Sequence, residues 1–253
     1  MKTNESRNAI QNGRQGHGAR RRPGNPPRHQ RRPDGEESHR AILRAAAQLA
    51  SVEGLDGLSI ATLAEHVGMS KSGLFAHFRS KEELQLETIA AAAEIFDEVV
   101  IRPALAASPG VARLRSLADH FLSHVERKVF QGGCFFAATA AEVDGHPGPV
   151  RDRIAAVHRS WADLLVRTVR EAQSAGELRA DEDPAQVAFE VNGMLAGANS
   201  SFLLLGDPAV LSRARIGVER ILDSVQAGNA GRAPVASPSS LDHGAPPRRD
   251  SRR

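Results

Sequence analysis

Between residues 36 and 225, apolar side chains recur every three to four residues, and no long stretch alternates apolar with polar side chains. A period of 3.6 residues is typical of an α-helix that buries one face, whereas a half-buried strand needs a period of two. Helix start and stop signals divide the segment, such as Ser59 before one apolar run and Gly68 after it. The pattern predicts an all-α protein of about nine helices.

Caps and prolines set the predicted helix boundaries. A Ser80–Glu83 capping box opens the fourth helix, which we expect to stop before Arg102-Pro103, and Ser108-Pro109 opens the fifth. Two later sites place a capping aspartate directly before a proline, which is a strong start signal. The predicted last three helices are 150–175, 184–205 and 208–225.

Basic residues are concentrated at the two ends of the chain. Residues 1–35 contain 9 Lys and Arg against 2 Asp and Glu, and residues 226–253 contain 5 against 2. Both ends are also rich in residues such as Gly, Pro and Ser, and they carry too little apolar surface to order themselves. We expect two disordered tails, of which the first is either an arm that binds phosphates or a solubilising extension.

Several classes of protein are excluded by what the sequence lacks. The single cysteine, Cys134, rules out an intrachain disulfide and a thiolate zinc cluster. No apolar run approaches the roughly 20 residues of a membrane span, and the N-terminus has no apolar secretory core. We therefore expect a soluble cytoplasmic protein without a membrane partner. No catalytic spacing or phosphate-loop pattern is present, so we expect no enzyme, cofactor or metal.

The stretch GMSKSGLFAHFRSKEEL, residues 68–84, predicts a tight turn followed by a short helix that Ser70 caps. Gly73 weakens this two-turn helix by about 1 kcal/mol relative to alanine. In a helix-turn-helix, the second helix presents its N-terminal residues to base edges in the major groove. Small side chains at Ser72 and Gly73 would let the backbone approach DNA, with Leu74 and Phe78 anchoring the helix from behind. The pattern alone also permits a plain helical hairpin inside a bundle.

Residues 58–84, LSIATLAEHVGMSKSGLFAHFRSKEEL, resemble the N-terminal signature of the TetR (tetracycline-repressor-like) family of transcriptional regulators. The resemblance covers residues 36–90. It implies a DNA-binding domain at 36–84 and a helical ligand-binding and dimerisation domain at 85–225. It further implies a homodimeric repressor whose partners are a double-stranded DNA operator and an unknown small-molecule effector.

The resemblance also implies which positions meet DNA. Those at or near bases are Thr62, Lys71, Ser72 and Gly73, and those facing the backbone are Phe75, His77 and Lys81. The position of Phe75 is usually tyrosine in the family, and that hydroxyl reaches a phosphate. Phenylalanine cannot donate this hydrogen bond, so we expect the Arg-rich N-terminal arm to compensate.

The second domain offers weaker signals. The candidate ligand-binding residues are Phe121, Cys134, Phe135, Trp161 and Leu165. Trp161 is equally well explained as core, and Cys134 is better explained as a buried thiol than as a redox sensor. His120 and His124 have an i, i+4 spacing that suits metal ligands. Without an acidic or cysteine partner at a suitable spacing, they fit surface or pocket-lining roles better.

The predicted helix 184–205 is apolar on more than one face and carries small residues at Gly193, Ala196, Gly197 and Ala198. A helix with this pattern must be buried on most sides, which favours a four-helix bundle with a second subunit. Two rival functions remain at this point. One is a non-specific architectural DNA-binding protein, and the other is a small-molecule-binding or enzymatic helical bundle without operator specificity.

Overall fold

The computed structural model describes residues 31–228 except 144 and 146. These residues form helices and no strand, with one isolated β-bridge between Leu178 and Gln226. The all-α prediction is therefore confirmed. The helices are α1 (Arg31–Gly57), α2 (Ile60–Val67), α3 (Lys71–Phe75), α4 (Lys81–Phe96), α5 (Arg102–Leu105), α6 (Val111–Glu126), α7 (Phe135–Val143), α8 (Pro149–Ser174), α9 (Pro184–Leu205) and α10 (Ala209–Ser224).

The chain divides into two compact units, residues 1–37 and 38–253. Of the first unit, only the opening turns of α1 are described, so the predicted N-terminal tail lies almost wholly outside the described residues. Most of the predicted C-terminal tail lies outside them too. Residues 226–228 are described, and the N–H of Ala227 donates to the carbonyl of Glu177 at 3.0 Å. The features below all belong to the second unit.

Side-chain caps define α2 and α3. The Ser59 hydroxyl accepts from the N–H of Thr62 at 3.1 Å, and the Thr62 hydroxyl accepts from the N–H of Ser59 at 2.9 Å. This capping box was missed because threonine takes the place of the usual Glu or Gln. Gly68 ends α2 in the left-handed region at φ 67°, and the Ser70 hydroxyl accepts from the N–H of Gly73 at 3.1 Å.

The start of α4 differs in one detail from the predicted capping box. The Ser80 hydroxyl accepts from the N–H of Glu83 at 3.0 Å, as expected. The Glu83 carboxylate, however, accepts from the N–H of Arg79 instead of Ser80. The reciprocal half of the box is therefore displaced by one residue, and it ties the α3–α4 turn to α4.

The prediction that the fourth helix stops before Arg102-Pro103 is wrong. It continues from α4 through a π-helical turn, Asp97–Ile101, into α5. In that turn the N–H of Arg102 donates to the carbonyl of Asp97, five residues earlier. A π-turn widens the helix and loosens the close approach between a proline ring and the preceding carbonyls. Counted as continuous rods, the described residues form the nine helical segments that were predicted.

The fifth predicted helix begins later than Ser108. Gly110, at φ 97°, occupies the N-cap of α6 and offers no side chain to cap it. The carboxylate of Glu177, from the segment after α8, accepts from the N–H of Val111 at 2.8 Å instead. A partner 66 residues away has thus replaced the local cap, which is why local signals misplaced the start.

The core is continuous from the first helices to the last. On the α1–α4 side its fully buried members include Leu55, Leu63, Leu74, Phe78 and Leu84. On the α6–α9 side they include Leu114, Leu122, Phe135, Leu165 and Leu195. Burying one such side chain contributes about 1.5–3 kcal/mol. None of the described helices is long and apolar enough to cross a membrane.

Candidate nucleic-acid interface and aromatic core

The tight turn between α2 and α3 holds the start of α3 away from the core. Leu74 and Phe78 have no exposed surface and anchor the short helix. Lys71 and Ser72 are exposed, and Gly73 is half-buried. The leading edge of α3 therefore faces outward, and the plain hairpin buried in a bundle does not describe it.

The charge of this surface is positive. Lys71, Arg79 and Lys81 are all exposed, and no acidic residue occurs from residue 66 to residue 81. Phe75 lies among them with 58% of its surface exposed, which is unusual for a large apolar side chain. A basic surface with an exposed aromatic ring fits a partner that carries phosphates and sugars.

Thr62 and Lys81, both proposed to face DNA, also make contacts within the chain. The hydroxyl of Thr62 serves the N-cap of α2, while the residue itself stays exposed. The Nζ of Lys81 donates to the carbonyl of Asp56 at 2.7 Å. Asp56 lies in the α1–α2 turn, the segment from the bend at Gly54 to Ser59 that closes α1 and leads into α2. Lys81 therefore braces the α1–α2 turn in the structure, a role its sequence position did not suggest.

His77, in the turn after α3, lies in a cluster with residues of α1 and α4. Its Nδ1 is 3.3 Å from the Nδ1 of His39 on α1, and the two rings stack with centroids 5.5 Å apart. The Nε2 of His39 is 2.7 Å from a carboxylate oxygen of Glu87 on α4. Neither His39 nor Glu87 was singled out from the sequence, because 48 residues separate them and no motif marks the pair.

The backbone of the α1–α2 turn is held from two directions. The Glu142 carboxylate at the end of α7 accepts from the N–H of Leu55 at 2.8 Å and from that of Asp56. The Nε2 of Gln85 on α4 donates to the carbonyl of Leu55 at 2.7 Å. Gly54, at φ 78° and ψ 166°, makes the bend. The C-terminal end of α1 is thereby fixed to both α4 and α7.

An aromatic core lies behind this region, where α4, α6, α7 and α8 meet. The ring of Phe96 packs edge-on against three other rings. The centroid distances are 5.5 Å to Trp161, 6.0 Å to Phe136 and 6.3 Å to Phe121. Phe121 and Trp161 also stack, with centroids 6.1 Å apart. The indole N–H of Trp161 donates to the amide oxygen of Asn192 at 2.8 Å. Phe121 and Trp161, proposed from the sequence as ligand contacts, do lie together.

The other three candidate ligand residues are buried near this core. Phe135 packs edge-on against Phe136 with ring centroids 5.2 Å apart. Phe136 in turn contacts Phe96, so it links Phe135 to the aromatic core. Leu165 is fully buried. Cys134 is 4% exposed, and burial raises the pKa of its thiol despite opposing hydrogen bonds from the backbone of Ala137 and Phe136. A neutral, enclosed thiol is a poor redox sensor.

His124 is the polar member of the aromatic core. It is 1% exposed, and both ring nitrogens lack a hydrogen-bond partner among the described residues. Its ring meets Phe96, Phe121 and Phe130 edge-on. Burial, aided by the charge of Arg127, lowers the pKa of His124 to about 4, so it is neutral at pH 7. His120 instead contacts the carbonyl of Ser116 at 2.8 Å.

The segment before α7 joins α1 to α9. The N–H of Gly132 donates to the Ser51 hydroxyl at 3.1 Å, and the N–H of Cys134 donates to the Asn199 amide oxygen at 2.9 Å. A Cβ on Gly132 would lie 1.7 Å from the carbonyl oxygen of Ser51. Only glycine permits this approach.

Comparison with known proteins places these features in one family. Residues 42–88 match the model of bacterial regulatory proteins of the tetR family, and residues 110–218 match the tetracyclin repressor-like C-terminal domain. The transcriptional regulator AcuR of Cereibacter sphaeroides is 27% identical over 160 residues, which are 62% of this chain and 72% of AcuR.

Solved structures give the same result. A TetR transcriptional regulator from Chloroflexus aurantiacus is 28% identical with a TM-score of 0.70, and the match covers 77% of this chain and 99% of that one. AibR, in complex with isovaleryl coenzyme A and operator DNA, is 26% identical with a TM-score of 0.58, over 71% and 94% of the two chains. This chain belongs to the TetR family of transcriptional regulators.

Proposed function

We propose that this chain is a cytoplasmic repressor that binds a palindromic operator as a homodimer and releases it when a small molecule binds the second domain. The observation that carries the proposal is the outward-facing start of α3, with Lys71 and Ser72 exposed above a fully buried Leu74. In a helix-turn-helix dimer, such edges enter major grooves about 34–36 Å apart. AibR, whose structure contains operator DNA, shares this fold.

The candidate side chains form two groups in this proposal. Thr62, Lys71, Ser72 and Gly73 approach bases, and the small side chains at 72 and 73 let the helix backbone come close. Phe75, His77 and Lys81 face the sugar-phosphate backbone. Phe75 offers its exposed ring for apolar contact with sugars, since it has no hydroxyl for a phosphate.

Neutralising Lys71 tests the proposed interface. If Lys71 binds a phosphate, Lys71→Gln should weaken binding to all sequences about equally and reduce the salt slope by about 1. If it reads a base, discrimination at one operator position should fall by about 1–3 kcal/mol. Lys128→Gln, in the exposed loop after α6, is the matched control. If Lys71→Gln behaves like the control, the recognition helix lies elsewhere.

The comparison of specific and random DNA separates this proposal from its rivals. An operator-specific repressor binds its site far more tightly than random duplex at the same salt concentration. Footprinting of the DNA upstream of the gene identifies the site, and competition with random duplex measures the ratio. Equal affinity for both would favour an architectural role, and turnover of a small molecule without any DNA binding would favour an enzyme.

The exposed apolar surface of α9 and α10 supports the homodimer. Phe189 is 72% exposed and Ile216 is 54% exposed, whereas such side chains are normally buried. Met194, Gly197, Ser201 and Val210 line a groove between the two helices. Among the described residues, a Cβ on Gly193 or Gly197 would have no neighbour within 4 Å outside the nearby backbone of α9 itself. Packing within one subunit therefore does not require these glycines, while close approach of a second helix pair does.

The aromatic core supports an effector site in the second domain. It combines rings from four helices with the neutral imidazole of His124, which has no hydrogen-bond partner among the described residues. Its residues Phe136 and Phe96 belong to α7 and α4, and these two helices also hold the α1–α2 turn. Trp161 is the only tryptophan, so its fluorescence reports binding in this core directly. Because AibR binds isovaleryl coenzyme A, short acyl-coenzyme A thioesters are the first probes. Quenching of Trp161 together with operator release would support the site.

A further inference from the structure

We propose that operator binding by this chain takes up a proton on a coupled pair of histidines, His39 and His77, which Glu87 holds in position. The inference rests on the proposed function, because it takes His77 as a contact to the operator backbone. It adds two positioning residues: His39 on α1 and Glu87 on α4 act through His77.

Two imidazoles and one carboxylate form a chain of contacts. Glu87 Oε2 lies 2.7 Å from His39 Nε2, and His39 Nδ1 lies 3.3 Å from His77 Nδ1. The His39 ring also packs against Phe78 at 5.2 Å, so the α3 anchor supports the pair. The side chains of His39 and Glu87 are 30% and 35% exposed, which keeps them within reach of solvent protons.

The hydrogen-bond pattern sets the smallest number of protons that the pair can hold. An ionised carboxylate only accepts, so His39 Nε2 must carry a hydrogen. The contact between the two Nδ1 atoms needs one hydrogen shared between them. These two protons make a neutral pair, and they leave His77 Nε2 with a bare lone pair. A lone pair cannot donate to a phosphate oxygen, and it repels the anion.

A third proton, on His77 Nε2, converts that atom into a donor for a phosphate. The pair then carries one positive charge, whichever ring holds the shared proton. A fourth proton would place hydrogens on both Nδ1 atoms and break the contact between the rings. Only the three-proton state therefore both keeps the observed geometry and binds a phosphate.

The surroundings favour the charged state once DNA is present. Within the described residues, no protein group hydrogen-bonds His77 Nε2, and this atom is not sealed from solvent. Glu87 lies at the other end of the pair, so a phosphate at His77 would place the positive charge between two anions. The ionisable residues next to the pair along the chain are Arg40, which follows His39 on α1, and the exposed Arg79, two residues after His77. The Glu83 carboxylate on α4 accepts from the N–H of Arg79.

Histidine changes its protonation between pH 5 and 8, so the effect falls in an accessible range. The operator affinity of the wild type is measured by fluorescence anisotropy from pH 6 to 8.5 at constant ionic strength. If each half-site takes up one proton on binding, the operator affinity falls as the pH rises, by up to about tenfold per pH unit. Proton uptake at both half-sites makes the fall up to about 100-fold per pH unit. Calorimetry in phosphate and Tris buffers at one pH counts the protons directly, without any substitution.

Three variants separate this linkage from a general effect of charge. His39→Leu removes the acceptor for His77 Nδ1, so His77 can then hold its neutral proton on Nε2. Glu87, whose side chain is 35% exposed, stays solvated in this variant. This variant should bind at pH 8 with little pH dependence. Glu87→Gln should move the binding curve to lower pH with the same slope. His66→Gln removes an exposed histidine of α2 and should leave the curve unchanged.

The outcomes distinguish the two levels of the hypothesis. Operator binding by the wild type that is flat with pH, or an unchanged slope in His39→Leu, would overturn the proton linkage and leave the proposed function intact. Failure to bind any upstream DNA at any pH would instead refute the proposed function. Circular dichroism of each variant confirms that it is folded before its affinity is interpreted.

Discussion

Gly54 and Glu142 should be energetically coupled, and substituting both residues tests how the α1–α2 turn is held. At φ 78° and ψ 166°, Gly54 occupies a region that is essentially restricted to glycine. An alanine there costs about 1–3 kcal/mol in backbone strain. Its Cβ would also lie 2.8 Å from each carboxylate oxygen of Glu142, so the carboxylate would have to move.

The second cost can be worked out from the hydrogen bonds that Glu142 makes. A hydrogen bond to a charged group contributes about 1.5–3 kcal/mol, and Glu142 accepts from Leu55 and from the more exposed Asp56. With the exposed bond discounted, Glu142→Ala should lower the free energy of unfolding by about 2–4 kcal/mol. Gly54→Ala should lower it by the strain plus part of this amount. In the Glu142→Ala background, Gly54→Ala adds only the strain, because the hydrogen bonds of Glu142 are already lost. The free energy of unfolding lost by the double variant should therefore be about 2 kcal/mol less than the sum of the two single losses.

Urea unfolding of the four proteins at pH 7, followed by the fluorescence of Trp161, measures the coupling. Gly176→Ala is the matched control, because Gly176 has φ 71° and a Cβ there would meet nothing within 4 Å. Its cost should be strain alone, and it should add to that of Glu142→Ala. Additive costs for Gly54→Ala and Glu142→Ala would refute the reasoning, since the carboxylate would then not be displaced by the new methyl group.

Three further predictions concern other parts of the chain. Gly197→Leu should convert the proposed homodimer to monomer in analytical ultracentrifugation, even though leucine favours a helix over glycine by about 1 kcal/mol. Ala162→Leu, on the exposed face of α8, should leave the oligomeric state unchanged. Because the pKa of His124 falls to about 4 on folding, the unfolded chain binds the extra proton below pH 6.5. Stability should therefore drop by about 3 kcal/mol from pH 6.5 to 4, and His124→Leu should remove that share of the drop. Deleting residues 1–34 should flatten the salt dependence of operator binding, since each phosphate contact adds about −0.9 to the log–log slope, and an unchanged slope would exclude the arm from binding.

Local signals were sufficient for most of the fold. The period of the apolar residues predicted the helices, and Ser59, Gly68 and Ser70 cap α2 and α3 as the sequence suggested. These features involve partners within five residues, so they can be read from a short window. The start of α6 could not be predicted in this way, because its cap comes from Glu177.

The same distinction applies to the candidate site. The exposed start of α3 followed from the position of Leu74 relative to Ser72 and Gly73. The contacts that brace the region, from Glu142 to Leu55 and from Glu87 to His39, span 87 and 48 residues. A lone glutamate on a helix carries no local mark of such a partner, so these roles emerge only from the folded chain.

The π-turn between α4 and α5 has a consequence for how this rod can vary in length. A π-turn holds one residue more than an α-helical turn, and here it lies between buried Phe96 and buried Ala104. Losing one residue within 97–101 would leave an ordinary turn and keep both flanking helical faces in register with their neighbours. Homologues that lack one residue between the start of α4 and the end of α5 should therefore have the gap within residues 97–101. A deletion at this place shortens the connection without rotating α4 and the helices before it relative to the helices that follow.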